Sequence, residues 1–439
     1  VAPNGLVAVS GFTPIVFVHG IYGSHLARRQ HRCTYATSSI SSASSTPLTS
    51  STSSTPSTPY TIRAFLTAFQ GAGFGSSDIS SSLSWASGRQ LYEDDPCVAD
   101  GCIESVAHVG VYKRLFNWLR KHWKDDFYPF SYDWRRDNNE NADLLIKHLE
   151  AVVKGSGGTP AIVVAHSNGA LLTMAAINEH PHLFHSAVFC AGALGGGPNF
   201  MIDLHNGGSF VPKILSAATV CSYPSPFCFF GFHPDAAAGG AGPWSDQKDA
   251  DGASAFWHPS FVDAEGRELN LMDASVWEQH KLGALWDKHD HSTVKEHLAH
   301  ALSAAARMRS RAAARKDIAY PPLRAVEARN VPTLNRIMID ANGHLKPQEN
   351  GFHPGDGRCA WGAGRPGGGV KCPVLETTYG HGSIPGDLHV VSRALLEVIE
   401  EKYSLCSDAG MLLGDRPRVP AFTEMPSDEP GCFSSCSVM

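Results

Sequence analysis

A serine at position 167 stands between two segments of contrasting pattern. The apolar run 161–164 precedes it and the helix-forming run 170–176 follows it. A strand that turns into a helix over so few residues brings the two elements almost into contact, so small residues are needed two positions before and after the serine. Ala165 and Gly169 meet this need. The segment therefore predicts a strand, a tight turn that presents the Ser167 hydroxyl to solvent, and a helix; the alternative is a serine in an ordinary strand–helix turn.

Two candidate acids and two candidate histidines lie late in the chain, after this serine. A serine hydroxyl becomes a nucleophile when a neighbouring base takes its proton, and a carboxylate must orient that base. When the serine stands on such a turn, the order along the chain is serine, acid, histidine. Asp340 ends a predicted strand and Asp356 lies in a glycine-rich turn, so both acids remain open on this argument. His381 lies in a glycine-flanked loop and is the expected base, whereas His389 falls within the final helix.

A serine nucleophile also needs backbone N–H groups that stabilise the oxyanion of the tetrahedral intermediate. The residue after the nucleophile supplies one of them, which is Asn168 here. The turn after the first strand supplies the other. That turn spans residues 19–23, and Ile21 is the expected donor.

The rest of the chain alternates between strand and helix patterns. Residues 111–120 and 141–153 have helical spacing, and further strand-like runs lie at 15–18, 126–130, 186–190 and 334–339. Alternation of this kind predicts an α/β protein whose mostly parallel sheet is flanked by helices. It is lost between about residues 200 and 320, which suggests a cap or lid insertion. The expected organisation is α/β core at 1–32, a Ser/Thr-rich disordered insertion and lid-proximal segment at 33–90, core with the serine turn at 91–200, cap at 201–325, core with the acid and histidine loops at 326–405, and a C-terminal tail at 406–439.

Several of these segments resemble the lecithin:cholesterol acyltransferase-like family of α/β-hydrolases. The segments that carry the resemblance are 15–24 (first strand and oxyanion turn), 130–135 (a Tyr-Asp-Trp-Arg stretch), 261–267 with 271–277 (cap), 354–358 (a Gly-Asp-Gly acid motif) and 380–383 (the histidine motif). The chain departs from the family pattern in three places: Ala165 replaces a glycine, Asn168 stands where an apolar residue is common, and Arg358-Cys359 replaces Thr-Val or Arg-Val.

The resemblance implies an activity and a role for each motif. It implies an α/β-hydrolase fold with a cap, and a serine-dependent lipid acyl-hydrolase or O-acyltransferase that works through an acyl-enzyme. Asp356 then becomes the acid that orients His381, and Ser167 becomes the acylated residue. Asp133, Trp134 and Arg135 would form the family motif with a structural role, as a buried ion pair beside a tryptophan. The alternatives are a soluble carboxylesterase on the same fold and a lipid-binding pseudoenzyme, which the complete triad disfavours.

Composition narrows the partners of the protein. A net charge of -6 over 439 residues offers no basic surface for nucleic acid. No run approaches 18 apolar residues, so no membrane-spanning helix is expected. The expected substrate is a lipid ester, with peripheral membrane contact through the cap or the tail. An aromatic cluster in the cap is either an acyl-facing lid or cap core; its members are Tyr223, Phe227, Phe229, Phe230 and Phe232.

The sequence indicates neither a cofactor nor a metal. His289, His291, His297 and His300 crowd together without a motif such as H-E-x-x-H, so they are interpreted as a polar helix face. The basic residues at the end of the helix predicted at 292–316 are interpreted as a solvated face; they are Arg307, Arg309, Arg311, Arg315 and Lys316. The cysteine pairs 97/102 and 221/228 either form disulfide loops or are free thiols.

The two ends of the chain bear on localisation. The N-terminus shows no basic region followed by an apolar stretch, and the chain has no Asn-x-Ser/Thr site. The last four residues, beginning at Cys436, fit a prenylation box, and Cys432 is a candidate for palmitoylation. These features favour a cytoplasmic protein anchored to the cytosolic face of a membrane. The alternative is a secreted or lumenal protein whose signal segment has been removed.

Overall fold

The computed structural model describes seven stretches of the chain: residues 12–28, 79–91, 97–106, 109–207, 215–230, 260–348 and 351–408. The Ser/Thr-rich insertion up to residue 78 lies outside them, as do Phe232, Cys432 and Cys436. The expectations of a disordered insertion and of a lipidated tail therefore stay predictions.

The strands of the described residues are, in chain order, β1 (Ile15–Val18), β2 (Ser24–Arg28), β3 (Trp85–Ala86), β4 (Arg89–Gln90), β5 (Cys97–Cys102), β6 (Ser105–Val106), β7 (Val109–Gly110), β8 (Phe127–Phe130), β9 (Ala161–His166), β10 (Phe184–Cys190), β11 (Ser260–Val262), β12 (Leu323–Ala328), β13 (Val331–Leu334), β14 (Arg336–Ile339), β15 (Leu345–Pro347), β16 (Phe352–Gly355) and β17 (Val374–Thr377). The α-helices are α1 (Lys113–Trp123), α2 (Asn138–Gly155), α3 (Asn168–Glu179), α4 (Asn199–Asn206), α5 (Ala217–Cys221), α6 (Ala274–Gln279), α7 (His291–Ala312) and α8 (Leu388–Asp408).

Six parallel strands form the central sheet, in the order β17-β12-β10-β9-β1-β8. The strand that leads to Ser167, β9, lies in the middle of this sheet, between β1 and β10. In register, Val18 of β1 lies beside Ala165 of β9 and Phe130 of β8. The carboxyl ends of the three strands therefore meet at one edge, where loops that follow parallel strands place functional groups. The predicted α/β class with a mostly parallel sheet is confirmed.

Both faces of the sheet are covered by apolar helix surfaces. Successive residues of a strand point to opposite faces, and in β1 Val16 and Val18 pack in one cluster while Ile15 and Phe17 pack in the other. The first cluster includes apolar side chains of α2, α3 and α7. The second includes those of α1 and α8. The continuous burial of β9 and β10 follows from this double cover, and it explains why their sequences read as unbroken apolar runs.

The strand predicted at 334–339 is not a single strand and does not belong to the central sheet. The chain divides there into β13, which pairs antiparallel with β16, and β14, which belongs to a small sheet with β11 and β15. The central-sheet strand after the cap is β12, which begins at Leu323, inside the range expected for the cap. Its pattern is interrupted by Arg324 and Glu327, both buried. Arg324 is paired with Glu397 at 2.9 Å and Glu401 at 2.7 Å, so the strand carries charges that a sequence pattern assigns to the surface.

The region between β10 and β12 contains α4 to α7. Its longest helix, α7, packs against α3. Tyr223, Phe227, Phe229 and Phe230 are fully buried there and contact neighbouring rings such as that of Trp277. The described members of the aromatic cluster are therefore core rather than an exposed acyl surface. No helix of the described residues combines the length and the apolar character that a membrane crossing needs.

Two residues of α7 that were expected on a polar or solvated helix face, His297 and Arg309, are buried instead. His297 is fully buried, where it accepts a hydrogen bond from the Trp85 indole at 3.1 Å and donates to the carbonyl of Cys221 at 2.9 Å. Arg309 is buried as well and donates to the carbonyl of Leu194. Each side chain has hydrogen-bond partners in the protein interior, which makes its burial tolerable.

Candidate active site

Ser167 stands in a strained turn between β9 and α3. Its φ of 53° and ψ of -118° lie outside the ordinary regions for a residue with a side chain, as expected of a sharp strand-to-helix turn. A Cβ on Gly169 would overlap the carbonyl oxygens of Val18 and His19, so only glycine fits where α3 meets the end of β1. The serine is 4% exposed, so it is not the solvent-facing residue that its turn predicts.

His381 joins Ser167 to Asp356. Its Nε2 lies 2.9 Å from the Ser167 Oγ, and its Nδ1 lies 2.8 Å from the Asp356 Oδ2. With a proton on Nδ1 that is donated to the carboxylate, Nε2 is free to accept the serine proton. His389, by contrast, has an exposed side chain on the first turn of α8. Of the two candidate histidines, the structure brings His381 to the serine.

Asp356 is held in place by backbone groups on both sides. Its Oδ1 accepts hydrogen bonds from the amides of Arg358 at 2.8 Å and Cys359 at 2.7 Å, and its own carbonyl accepts from the amide of His381 at 2.9 Å. Burial alone would raise the pKa of this carboxyl, but the neighbouring His381 and the two amides outweigh burial and hold the pKa below its usual value. The group is therefore an anion throughout the neutral range.

Asp340, the alternative acid, lies elsewhere. Its Oδ1 accepts from the amides of Asn342 and His344 in the turn after β14, and its Oδ2 lies 3.0 Å from the ammonium of Lys346. The strand that made Asp340 attractive belongs to the small sheet, so its end does not point to the edge where Ser167 stands. Asp340 closes a β-turn and the structure brings Asp356 to the histidine.

The two predicted oxyanion donors belong to segments that adjoin the serine. Gly20 packs against it so closely that a Cβ there would be 2.8 Å from the Ser167 Cβ, and Ile21 follows in the same turn. A hydrogen bond from the Gly23 amide to the Gly20 carbonyl, at 3.1 Å, closes this turn. Asn168 is the first residue of α3, where helix amides are unpaired within the helix and the helix dipole favours negative charge.

A buried chain of hydrogen bonds that the sequence analysis missed links this turn to the histidine loop. The Gly20 amide donates to the Tyr112 hydroxyl at 3.3 Å, and that hydroxyl lies 2.8 Å from the Nδ1 of His166. Since the hydroxyl has one proton to donate, Nδ1 accepts it, and the His166 Nε2–H donates to the carbonyl of His381 at 3.0 Å. Burial lowers the pKa of His166 to about 3, so the neutral ring that this pattern needs is present at neutral pH. His166 is part of the serine turn, but Tyr112 is 54 residues away and no sequence pattern connects them.

The Asp133-Trp134-Arg135 motif stands beside the site without reaching the serine in its described contacts. Arg135 is fully buried and binds both carboxylate oxygens of Asp133, at 3.0 and 2.6 Å, and its Nη1 donates to the carbonyl of Ile79 at 2.9 Å. The Trp134 indole donates to the carbonyl of Ser24 at 3.3 Å. These contacts join the segment after β8 to the start of β2 and to the segment before β3.

The neighbouring Tyr132 connects that motif to the serine turn. Its hydroxyl donates to the carbonyl of His19 at 2.8 Å and accepts from the side-chain amide of Asn168 at 3.1 Å. Asn168 also exchanges hydrogen bonds with the Asn138 side chain at 2.9 and 3.0 Å. The polar residue that departs from the usual apolar one at 168 thus anchors the start of α3 rather than facing a substrate.

Of the cysteines in the pairs 97/102 and 221/228, the side chains of three are described, and none of these three forms a disulfide. Cys102, Cys221 and Cys228 are free thiols in the structure. The described residues do contain one group of three metal-ligand side chains close together, Asp356, Cys359 and His381, whose ligand atoms all lie within 4.8 Å of one another.

Comparison with known proteins places this site in a family context. Residues 103–223 match the family model of lecithin:cholesterol acyltransferase. The predicted family resemblance is confirmed. The matched stretch runs from before α1 to beyond α5 and includes the Asp133–Arg135 motif and Ser167, whereas Asp356 and His381 lie beyond it. A comparison with curated proteins gives no significant match.

A solved structure shares the fold at low sequence identity. The crystal structure of the Tle4–Tli4 complex is similar with a TM-score of 0.51 and 11% identity, covering 90% of this chain and 99% of that chain. The match to tomato methylketone synthase I complexed with 2-tridecanone has a TM-score of 0.27 and 12% identity and covers 66% of this chain and 93% of that chain. The central sheet, its flanking helices and the serine turn make this an α/β-hydrolase fold. Together with the family match, it supports a lipid ester hydrolase or acyltransferase.

Proposed function

We propose that this protein is a serine acyl-hydrolase or O-acyltransferase of phospholipase or lipase type that acts on lipid esters through an acyl-enzyme. The observation that carries the proposal is the hydrogen-bonded path from the Ser167 Oγ to His381 and on to Asp356, at 2.9 and 2.8 Å. The family match over residues 103–223 supports a lipid ester as the substrate.

The geometry suggests a role for each group in the first half of the reaction. His381 takes the Ser167 proton on Nε2 while Oγ attacks the ester carbonyl. Asp356 stabilises the imidazolium through Nδ1–H. The backbone amides of Ile21 and Asn168 receive the oxyanion of the tetrahedral intermediate. His381 then gives its proton to the leaving alcohol, and the acyl group stays on Ser167.

The second half of the reaction decides between hydrolysis and transfer. Water or an acceptor alcohol loses its proton to His381 and attacks the acyl-enzyme by the same route in reverse. The two acceptors compete for one intermediate, so their partition is measured as the ratio of free acid to new ester when a long-chain alcohol is added to a lipid substrate. New ester formation that rises with the alcohol concentration at the expense of free acid identifies a transferase.

A soluble carboxylesterase is the second candidate, and one observation favours it. Tyr223, Phe227, Phe229 and Phe230 are used in the core of the cap, so these rings are not an acyl-facing surface. A series of p-nitrophenyl esters of increasing chain length, measured beside phospholipid vesicles, separates the two. A lipid enzyme increases kcat/KM with chain length and cleaves vesicle lipid, whereas the esterase prefers short, soluble esters and leaves vesicles intact.

Replacing the proposed nucleophile tests the proposal. Ser167→Ala is expected to lower ester hydrolysis by about 10⁶-fold, because a triad without its nucleophile keeps only binding and oxyanion stabilisation. His381→Ala is expected to be inactive too, and His389→Ala, whose side chain is exposed on α8, is its matched control. Unfolding temperatures close to that of the native protein show that the fold survives. Full activity in purified Ser167→Ala protein ends the proposal.

A further inference from the structure

A thiol lies beside the pair formed by Asp356 and His381. Cys359 is 4% exposed, and its backbone amide binds the Asp356 carboxylate at 2.7 Å. The Cys359 Sγ, a carboxylate oxygen of Asp356 and a ring nitrogen of His381 all lie within 4.8 Å of one another. The described residues offer no second group of three such side chains. The thiol takes no part in the proposed reaction, so its position beside the pair calls for a separate account.

The three ligand types select a class of metal ion. Thiolate, imidazole and carboxylate together are ligands for Zn²⁺ and related thiophilic ions, whereas Mg²⁺ and Ca²⁺ take oxygen ligands. Ligands of a tetrahedral zinc ion lie about 2.0–2.3 Å from the metal and hence roughly 3.5 Å from one another. Asp356 and His381 are already closer than that, at 2.8 Å. A tetrahedral site therefore needs Asp356 and His381 to separate by roughly 0.7 Å and the Cys359 side chain to approach them by on the order of 1 Å, and water can occupy the fourth position.

We propose that Asp356, Cys359 and His381 form an inhibitory site for a thiophilic divalent cation such as Zn²⁺. The ion enters between the carboxylate and the imidazole, from the side of His381, which is the most exposed of the three residues. It binds only by separating the two groups whose hydrogen bond the reaction needs.

The inhibition follows from the two nitrogens of the imidazole and rests on the proposed function. In the active arrangement Nδ1 carries the proton and Nε2 accepts from Ser167. A cation can bind at Nδ1 only after the single ring proton leaves that nitrogen, and this proton returns through solvent to Nε2. The Cys359 thiol releases its own proton to solvent when it binds the cation, so the neutral ring carries its one proton on Nε2. An Nε2–H group cannot take a proton from the serine, so the nucleophile is not activated.

The first test is inhibition by Zn²⁺. Hydrolysis of a soluble ester is measured against free Zn²⁺ for the native protein, for Cys359→Val and for the matched control Cys372→Val, another buried free thiol. Each rate is expressed relative to the same protein with a chelator present. Native protein and Cys372→Val are expected to be inhibited alike, reversibly, and not by Mg²⁺. Loss of a thiolate ligand in Cys359→Val is expected to raise the inhibitory concentration by at least about 10- to 100-fold.

A second measurement is independent of activity. Cd²⁺ added to Ser167→Ala protein is expected to give the ultraviolet absorption band of a cadmium thiolate, and the band is expected to disappear in Ser167→Ala/Cys359→Val but to remain in Ser167→Ala/Cys372→Val. Equal bands in all three proteins, or equal Zn²⁺ inhibition of native protein and Cys359→Val, overturn the metal site. An inactive native protein that still shows the Cys359-dependent band contradicts the proposed function and leaves the metal site standing.

Discussion

The proposed nucleophile and the proposed acid reach the site from regions that are built differently. Ser167 lies directly after β9, the central-sheet strand between β1 and β10, and directly before α3. Asp356 follows β16, which pairs with β13 in a two-stranded sheet outside the central one. The position of the serine follows from a strand, a turn and a helix that are continuous in sequence. The position of the acid depends on a loop whose backbone is held by contacts with several other segments.

The difference shows in what a substitution disturbs. On the serine side the tolerances are steric, because α3, β1 and the turn that contains Gly20 lie in direct contact. On the acid side they are set by hydrogen bonds, since the Asp356 carboxylate accepts from two amides and the Gly357 amide donates to the Thr333 hydroxyl at 2.8 Å. We therefore expect substitutions that add side-chain volume to disturb the region around Ser167. Substitutions that remove a hydrogen-bond partner are expected to disturb the region around Asp356.

The largest expected effect is on kcat, and it distinguishes Asp356 from Asp340. Asp356→Asn is expected to lower kcat by about 10⁴-fold, because an amide cannot hold His381 in the required tautomer. Asp340→Asn is its matched control and is expected to keep nearly native kcat, since Asp340 closes a turn after β14. A steady-state comparison of the two variants measures this. A large loss confined to Asp340→Asn would reverse the assignment and remove the contrast between the two regions.

The next effect tests the steric tolerance of the serine side. Gly169→Ala places a methyl group against the carbonyl oxygens of Val18 and His19 and is expected to lower the free energy of unfolding by about 1–3 kcal/mol or more. Gly155→Ala at the end of α2 is the matched control, because a Cβ there meets nothing within 4 Å. It is expected to be neutral or stabilising by up to about 1 kcal/mol. Urea unfolding measures both, and equal stabilities would show that the serine turn is not sterically closed.

Substitutions of two threonines test whether the region around Asp356 depends on hydrogen bonds. The Thr333 hydroxyl accepts from the Gly357 amide and donates to the Val331 carbonyl at 3.0 Å. Thr333→Val leaves that amide without its partner, and it is expected to cost about 1–3 kcal/mol of stability and to lower kcat. Within the described part of the chain the Thr173 hydroxyl, buried in α3, has no hydrogen-bond partner, so Thr173→Val is expected to be neutral or stabilising. The contrast fails if Thr173→Val is the more damaging substitution.

The smallest expected effect is a decrease in the free energy of unfolding at acidic pH, caused by buried histidines near Ser167. Burial lowers the pKa of His19 to about 4 and of His166 to about 3, from an ordinary value of 6.5. The unfolded chain therefore binds more protons than the folded protein below pH 6.5, and stability decreases as the pH falls from 6.5 toward 4. Each such histidine contributes a slope of up to about 1.4 kcal/mol per pH unit. His166→Gln is expected to reduce the slope of urea stability against pH by about one proton, and an unchanged slope would contradict the burial argument.

The two regions also differ in how far the sequence predicts them. The serine turn and the strands β1, β8, β9 and β10 were predictable because their apolar runs and the small residues around Ser167 are local patterns. Asp356 was selected over Asp340 by the family resemblance alone, since the strand argument depended on a central-sheet strand at 334–339 that does not exist. The strand that does occupy the central sheet, β12, was not predictable because Arg324 and Glu327 interrupt its apolar pattern. Both are buried and have partners that lie far away in sequence.

The link through His166 shows the same limit within the serine region. Its ring nitrogens contact Tyr112 and the carbonyl of His381, which are distant from His166 in sequence. His166 is recognisable in the sequence as part of the serine turn, but no sequence pattern gives it a partner. A hydrogen bond between distant residues leaves no periodic signal, whereas a close strand–helix approach leaves glycine and alanine at fixed spacing.

The central claim is that Ser167 is a nucleophile activated by His381, and covalent labelling tests it most directly. The native protein is incubated with a fluorophosphonate, which reacts with activated serines, and the labelled peptide is identified by mass spectrometry. The account predicts one label, on Ser167, together with loss of ester hydrolysis in proportion to labelling, and no label in folded His381→Ala protein. A label on another residue that abolishes activity, or full activity in protein fully labelled at Ser167, would contradict it.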